Sequence, residues 1–366
     1  MNIEKEFKKT FKNKKVIITG HTGFKGSWMA LWLSMMGAKI WGISLNNVSN
    51  PNIYSLLKID NLYEDLKLDL RNLEKTSQII NKIKPDFIFH LAAQPLVLDS
   101  IKNPIDTIGS NTITTLNILE SLKKVNFNTQ CIFVTTDKVY ENININRGYN
   151  ENDKLGGKDI YSASKSMAEI AIKSYYFSFL KHKKNIRLAI GRPCNCIGGG
   201  DWSDNRLIPD IVKNWSKNKK VTIRNPNSIR PWQHVLEPVG GYLYLCYKLT
   251  KNAKLNSETF NFGPDYSNNL EVIKIVNKMS KDWEYNQFKI KKDKSDIEAG
   301  LLKINCLKAK KIIKWKPLWN IDDTLRYTNE WYLNYYKNKN KNTITKITMD
   351  QINNYQKLAS KKWDKF

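Results

Sequence analysis

Tyr161 and Lys165 stand four residues apart in Tyr161-Ser-Ala-Ser-Lys165, so on a helix they share one face. A phenol with a pKa of about 10 is a poor base at neutral pH. A lysine ammonium beside it favours the phenolate and is expected to draw that pKa down. The phenolate can then take a proton from an alcohol whose carbon gives up a hydride. Thr135-Thr-Asp-Lys138 adds a hydroxyl, a carboxyl and an ammonium in one run. Thr136 can hydrogen-bond the oxygen on the oxidised carbon, Asp137 can act as an acid, and Lys138 supplies a nearby charge. Alcohol oxidation alone needs only the Tyr161/Lys165 pair and a hydride acceptor. A further proton donor is needed to expel a hydroxyl as water. The plainer reading of Asp137 is a strand-end cap bonded to backbone amides.

A hydride acceptor has an obvious seat. Gly20-x-x-Gly23-x-x-Gly26 follows the β-branched run Val16-Ile-Ile-Thr19 and opens a helical pattern. Gly20 permits the tight turn, Gly23 lets backbone approach a pyrophosphate, and Gly26 lets helix and strand pack closely. Thr22, Phe24 and Lys25 fill the loop, and the helix N-terminus offers N–H groups to the negative charge. After the second strand, Ser44-Leu-Asn-Asn47 has no carboxylate for a ribose and no arginine cluster for a 2′-phosphate. NAD and NADP both stay open. Asn46 or Asn47 can hydrogen-bond a neutral ribose, which favours NAD. Asp69-Leu70 closes the third expected strand, where a carboxylate can accept the adenine amino hydrogens. Leu91, Ala92, Ala93 and Gln94 follow the fourth, and the small residues let the chain pass close to the cofactor. His21 and His90 read as packed rather than catalytic.

These groups require a Rossmann-type α/β fold, a parallel sheet flanked by helices. Strands are expected at 16–19, 39–44, 66–70, 87–90, 131–134 and 186–190. Helices are expected from Ser27, and over 73–83, 111–124 and 162–180. Beyond about residue 192, Gly198-Gly-Gly200 and several prolines break the texture into short elements. The division expected is residues 1–192 as the dinucleotide-binding domain, with later segments returning to it, and 193–366 as mainly a substrate-binding lobe with C-terminal helices. Phe260-Asn-Phe-Gly263 reads as strand and turn, 270–279, 303–311 and 322–335 as helices, and 344–355 as a further segment that docks on the body.

Composition narrows the class. Apolar content of 41% is globular, not disordered. The net charge of +26 suggests a nucleic-acid binder at first sight, but the lysines are scattered and often alternate with Asn, as in Asn338-Lys-Asn-Lys-Asn342. The charge therefore reads as solvated surface whose field favours an anionic substrate, with no nucleic-acid partner. Five cysteines without paired spacing give no metal site, and with no secretory leader they point to a reducing, cytoplasmic setting. No apolar run approaches the roughly 18–20 residues that span a bilayer, so no membrane association is expected.

Taken together the motifs resemble the extended short-chain dehydrogenase/reductases, and within them the CDP-glucose 4,6-dehydratases. The matching segments are Gly20-His-Thr-Gly-Phe-Lys-Gly-Ser-Trp28, His90-Leu-Ala-Ala-Gln-Pro-Leu96, Thr135-Thr-Asp-Lys138 with Tyr140-Glu-Asn142, and Leu155-Gly-Gly157 before Tyr161. Ile197-Gly-Gly-Gly-Asp-Trp202, Arg206-Leu-Ile-Pro-Asp210, Arg230-Pro-Trp-Gln-His-Val-Leu-Glu-Pro238 and Gln351-Ile-x-x-Tyr355 extend the match over nearly the whole chain. The resemblance implies conversion of CDP-D-glucose to CDP-4-keto-6-deoxy-D-glucose with NAD oxidant and reductant in one cycle, for deoxysugar and surface polysaccharide synthesis. It implies that Asp137 and Lys138 are the dehydration pair and that Asn195, Arg206 and Arg230 contact the nucleotide sugar. Arg230 suits the substrate pyrophosphate, because a guanidinium bonds phosphate in bidentate fashion. The resemblance also implies a homodimer paired through the two long helices.

Two departures from the family pattern fall near the expected pocket: Arg192-Pro-Cys-Asn-Cys196, where Arg-Ala-Gly-Asn-Val is usual, and Leu98 in place of arginine. Trp202, Trp232 and His234 are expected to shape the pocket. An epimerase or a dehydratase for another nucleotide sugar is the alternative activity; an epimerase would not need Asp137 and Lys138. A basic binding protein on the same scaffold would explain the charge but leave both chemical sets without a use.

Overall fold

Val16, Ile17 and Ile18 point alternately to two different apolar cores, as a strand buried on both faces must. The same alternation recurs in Phe87, Ile88 and Phe89, and in Cys131, Ile132, Phe133 and Val134. The result is a seven-stranded parallel sheet in a computed structural model that describes residues 2–45, 49–59, 62–265, 268–291, 302–338 and 340–364. Its strands in chain order include β1 (Lys15–Thr19), β2 (Lys39–Ser44), β3 (Leu62–Lys67), β4 (Phe87–His90), β5 (Thr129–Val134) and β6 (Ile186–Pro193). Strand Thr259–Phe262 adds beside β6, giving the order Thr259–Phe262, β6, β5, β4, β1, β2, β3. Strand order reverses between β1 and β4, and ligands bind at such a switch point beyond the carboxyl ends.

Helices Leu73–Ile83, Thr114–Lys124 and Ile160–Tyr175 cover one face. Helices Phe24–Met35, Leu236–Lys251, Ile321–Asn338 and Lys341–Lys362 contribute to the larger core on the other. Residues after 193 also build a lobe of three two-stranded ladders, in which Cys196–Ile197 pairs with Gln233–His234, Ile229–Pro231 with Asn269–Glu271, and Val221–Arg224 with Phe288–Lys291.

Several expected boundaries shift. β3 ends at Lys67, so Asp69 and Leu70 follow the strand instead of ending it. It is an edge strand whose residues alternate between half-buried and exposed, so the apolar run at 66–70 misplaced it. The first helix starts at Phe24, immediately after the glycine turn, not at Ser27. The helix expected from 111 is preceded by helix Pro104–Ile108 and a π turn, Gly109–Ile113. The helix expected over 303–311 begins only at Leu307 and runs on through a π turn at Ala309–Ile313. The helix expected over 270–279 begins at Val272, because Asn269–Glu271 pairs as a strand. The charged N-terminus contains helix Ile3–Phe11, whose Ile3, Phe7 and Phe11 at four-residue spacing are all buried.

The C-terminal segment is a full helix, Lys341–Lys362, and it closes the larger core. Tyr355 donates a 2.6 Å hydrogen bond to Glu237 Oε2, while the amides of Leu318 and Trp319 donate to Oε1 at 2.9 and 2.8 Å. Gly240 makes the approach possible, since a Cβ there would lie 2.8 Å from the Tyr355 ring. Burial pushes the Glu237 carboxyl up to about 7 against these donors. A carboxyl raised on folding contributes stability below its ordinary value of about 4.5, and that stability is lost as pH rises through about 7. Tyr355→Phe should therefore destabilise by about 1–3 kcal/mol, and by more at pH 8 than at pH 6. Urea unfolding at the two pH values checks this; an equal or smaller loss at pH 8 contradicts it.

Candidate active site

A cleft of about 310 Å³ opens beyond the carboxyl ends of the strands and brings Phe24, Lys25, Thr136, Asp137, Lys138 and Tyr161 to one space. Asn195, Arg206 and Arg230 line the same cleft, so the chemical groups and the three expected substrate contacts converge.

Gly20 adopts a left-handed φ of +72°, and a Cβ there would sit 2.9 Å from the backbone of Ala92. The loops after β1 and β4 thus touch at the switch point. A Cβ at Gly26 would overlap the Gly20 carbonyl, so the helix can start this close only with glycine. Gly23 is the N-cap of helix Phe24–Met35 and provides no side-chain cap, which leaves N–H groups of the first turn for an anion. This cradle fits a dinucleotide pyrophosphate.

The other cofactor candidates are placed less uniformly. Thr22 bonds Ser44 Oγ at 3.1 Å, and Ala92 N donates to Thr19 Oγ1 at 3.1 Å. Leu91 N donates to Thr19 O, and Ala93 follows in the same extended loop. Gln94 turns its amide to Leu96 O and Thr107, both at 3.0 Å, so it braces its own loop. The Asp69 carboxylate is gripped by Arg71, whose hydrogen bonds hold it below the usual carboxylate range. Leu70 is buried, and its carbonyl accepts from Asn117. Asn46 lies outside the described residues.

Asp159 caps helix Ile160–Tyr175 by accepting from Ser162 N at 2.9 Å. The cap puts Tyr161 in the first turn and Lys165 one turn later. Both are buried, and Lys165 Nζ donates to Val134 O at 3.2 Å, beneath the end of β5. Burial takes the Lys165 ammonium down to about 7 and pushes the Tyr161 phenol up to about 12. The lowering of Tyr161 expected from Lys165 gives way to a rise, because desolvation is the largest influence on the phenol. Thr136 and then Arg206 act in the lowering direction.

Asp137 is 1% exposed at the mouth of β5. Thr136 Oγ1 donates to its Oδ1 at 3.0 Å, and among the described residues Oδ2 has no partner. Burial raises this carboxyl, although Lys138, Thr136, Lys25 and Arg230 all pull it down. A strand-end cap would spend its oxygens on backbone amides; Asp137 does not. A buried carboxyl with one free oxygen facing a cleft is suited to hold and deliver a proton.

Beneath this floor lies a network that motif spacing did not single out. Arg192 at the end of β6 donates to both Glu169 oxygens from Nε at 3.0 Å, again to Glu169 from Nη2, and from Nη1 to Tyr140 Oη at 2.7 Å. Thr135 Oγ1 donates to Glu169 Oε2 at 3.2 Å, and Tyr140 donates to Asn261 Oδ1 at 2.7 Å. The available signal was a carboxylate eight residues after Tyr161, two turns along a core-facing helix, with an arginine ending an apolar strand. Pro193, Cys194 and Leu98, the departures from the family pattern, all line the cleft, with Cys196 beside them. Trp232 lines it too, whereas Trp202 and His234 pack in the core. His90 is buried between Thr19 and Thr115, and His21 lies 2.9 Å from Asp65, so neither faces the chemistry.

The sequence profile of the GDP-mannose 4,6 dehydratase family matches residues 17–328. The chain belongs to that family. Among its relatives, the CDP-glucose 4,6-dehydratase of Salmonella typhimurium is 40% identical over 336 residues, covering 90% of this chain and 92% of that protein. Among solved structures, the dTDP-glucose 4,6-dehydratase of Bacillus anthracis in complex with NAD superposes with a TM-score of 0.72 at 22% identity, over 89% of this chain and 97% of that one. The epimerase Mth375 of Methanothermobacter thermautotrophicus superposes with a TM-score of 0.79 at 19% identity, over 92% and 96%. The fold is therefore shared with epimerases and does not by itself separate dehydration from epimerisation.

Thr136 lowers both Asp137 and Tyr161. Thr136→Val removes the hydrogen bond to Asp137 Oδ1, and with it the hydroxyl that favours the Tyr161 phenolate, at nearly constant volume. The pH optimum of kcat should move up by about 0.5–1, the equivalent of one ordinary hydrogen bond. A pH–rate profile that stays in place, or moves down, contradicts the shared role.

Proposed function

We propose that the protein converts CDP-D-glucose to CDP-4-keto-6-deoxy-D-glucose and water, using NAD. The observation that carries this reading is the desolvated Asp137 carboxyl sharing one cleft with Tyr161, in a chain 40% identical to a CDP-glucose 4,6-dehydratase. NAD is favoured by the glycine cradle and by the NAD complex of the Bacillus anthracis relative. In this reading residues 1–192 form the dinucleotide-binding part, and 193–366 contribute mainly the substrate lobe.

The cofactor, when bound, accepts a hydride from the hexose and later returns it. Gly20, Gly23 and Gly26 hold its pyrophosphate, and Tyr161 and Lys165 lie at its reacting end. Tyr161 takes the proton from the C4 hydroxyl, assisted by Thr136, as C4 becomes a ketone. The ketone acidifies the C5 hydrogen, so elimination is possible only after oxidation. Lys138 is placed to assist removal of the C5 proton. Asp137 gives its proton to the C6 hydroxyl, which leaves as water and produces a C5–C6 double bond. Return of the hydride to C6 and of a proton to C5 would balance the cycle. Arg206 and Arg230 hold the substrate diphosphate meanwhile.

The neighbouring helical segments 104–124 and 160–180 expose Ile105, Ile113, Ile170, Phe177 and Phe179, an apolar load best covered by a second copy. We read it as a homodimer interface, which sedimentation at twice the chain mass checks and sedimentation as a monomer refutes. Among the described residues no helix is long and apolar enough to cross a membrane. Five unpaired cysteines suit a reducing, cytoplasmic compartment.

Incubation with CDP-glucose, dTDP-glucose and GDP-mannose should yield a 4-keto-6-deoxy product from CDP-glucose; product from another nucleotide sugar alone would overturn the assignment. Tyr161→Phe should lower kcat by about 10²–10⁴ with CDP binding retained. A kcat near wild type removes Tyr161 as the base. Asp137→Asn should cost a similar factor in 6-deoxy product while a 4-keto sugar that keeps its C6 oxygen accumulates on the enzyme. Mass spectrometry of quenched reactions distinguishes the two. Equal loss of both sugars would assign Asp137 to positioning or oxidation.

A further inference from the structure

The cleft has two chemically different ends. At the reacting end the charges acting on Asp137 and Tyr161 include Lys138, Lys25, Arg230 and Arg206, a concentration of cations. Asp210 and Arg224 also line the cleft, with Asp210 one helical turn beyond Arg206. Asp210 lies in the first turn of helix Leu207–Trp215, and Arg224 ends the strand Val221–Arg224 that packs against that helix. The charges acting on Asp210 are Arg224, Lys213 and Asp204, none of them from the reacting end.

Arg224 Nη2 and Asp210 Oδ2 are 4.0 Å apart, with the side chains 39% and 32% exposed. Arg224 Nη2 also donates to Asn205 O at 3.4 Å, and this loose contact leaves the Asp210 carboxylate and the other guanidinium nitrogens able to take a further partner. Apolar Val221 and Val272 line the cleft with them and suit the faces of a planar ring.

A nucleotide sugar carries three parts in a line. Its diphosphate seeks Arg206 and Arg230 and avoids a carboxylate. With the hexose at Tyr161, the base then extends toward Asp210. Cytosine presents an amino donor where uracil and thymine present a carbonyl. A carboxylate accepts a hydrogen bond from that amino group and repels the carbonyl, while a guanidinium can donate to the ring acceptors of cytosine.

We propose that Asp210, with Arg224 beside it, determines specificity by selecting a cytosine-bearing substrate over uracil- and thymine-bearing ones; this rests on the nucleotide-sugar reading above. Asp210→Asn keeps the size of the side chain and adds an amide donor for a carbonyl. Calorimetry with CDP and UDP should show the wild-type protein favouring CDP by about 10–100-fold. In Asp210→Asn that ratio should fall to within about threefold, with most of the change in CDP affinity. The kcat/KM ratio for CDP-glucose over UDP-glucose should fall in parallel, carried by KM. Asp210→Glu should restore part of the preference. A preference unchanged in Asp210→Asn, or an equal loss of both nucleotides, would overturn the proposal. Wild-type protein that dehydrates CDP-glucose but binds CDP and UDP equally would overturn it and leave the dehydratase reading standing. Wild-type protein that neither binds these nucleotides nor dehydrates any nucleotide sugar would overturn that reading, and this one with it.

Discussion

The withdrawal of the Asp137 carboxyl from water is the constraint on which the site depends. A carboxylate at the end of an exposed strand would ionise and serve as a cap. Here the parallel sheet is covered on both faces, so β5 delivers Asp137 into a desolvated floor. Three cations nearby oppose the effect of burial but do not overcome it. Burial also raises Tyr161, so the same low-polarity floor favours the protonated state of both groups at rest. In the proposed mechanism one environment therefore suits Asp137 as the acid directly and makes Tyr161 as the base dependent on its neighbours, chiefly Thr136 and Arg206.

Such a floor must be held rigidly. Glu169 and Arg192 join the helix that carries Tyr161 and Lys165 to β6, and Thr135 ties β5 to the same carboxylate. Ser166 Oγ donates to Val139 O at 2.9 Å, which fastens the turn containing Asp137 and Lys138 to that helix as well. A buried ion pair often adds little net stability, and losing one partner is costly because the other charge is left unpaired. Its contribution here is geometric: the helix bearing Tyr161 and Lys165, the end of β5 and the end of β6 converge on Glu169 and Arg192. The lobe built after residue 193 brings Arg206 and Arg230 over the floor and so sets what can reach it.

Much of this was legible in the sequence because two periods are strong signals. Buried apolar runs marked β1, β2 and β4, and four-residue spacing marked the Tyr161/Lys165 face. The glycine turn was legible because close backbone contact at Gly20 and Gly26 requires glycine. β3 was misplaced because an edge strand shows polar alternation in Leu62-Tyr-Glu-Asp-Leu-Lys67. Helix Ile3–Phe11 was hidden by its lysines and glutamates, although three apolar residues at four-residue spacing mark its buried face. The direction of the Tyr161 shift was not legible, because spacing reports who is near and not how much water is excluded. The partners of Arg192 were likewise invisible, since Glu169 and Tyr140 come from elements distant in the chain.

The most direct test concerns the proton on Asp137. Carboxyl-labelled aspartate in wild-type protein and in Asp137→Asn allows the Asp137 resonance to be assigned by difference and titrated by carbon NMR. Desolvation predicts a midpoint above the ordinary carboxyl value of about 3.9, so that protonated Asp137 persists after exposed carboxylates have ionised. A midpoint at or below that value would mean the cations dominate, and Asp137 would then be a charge-paired carboxylate and not the acid that expels water.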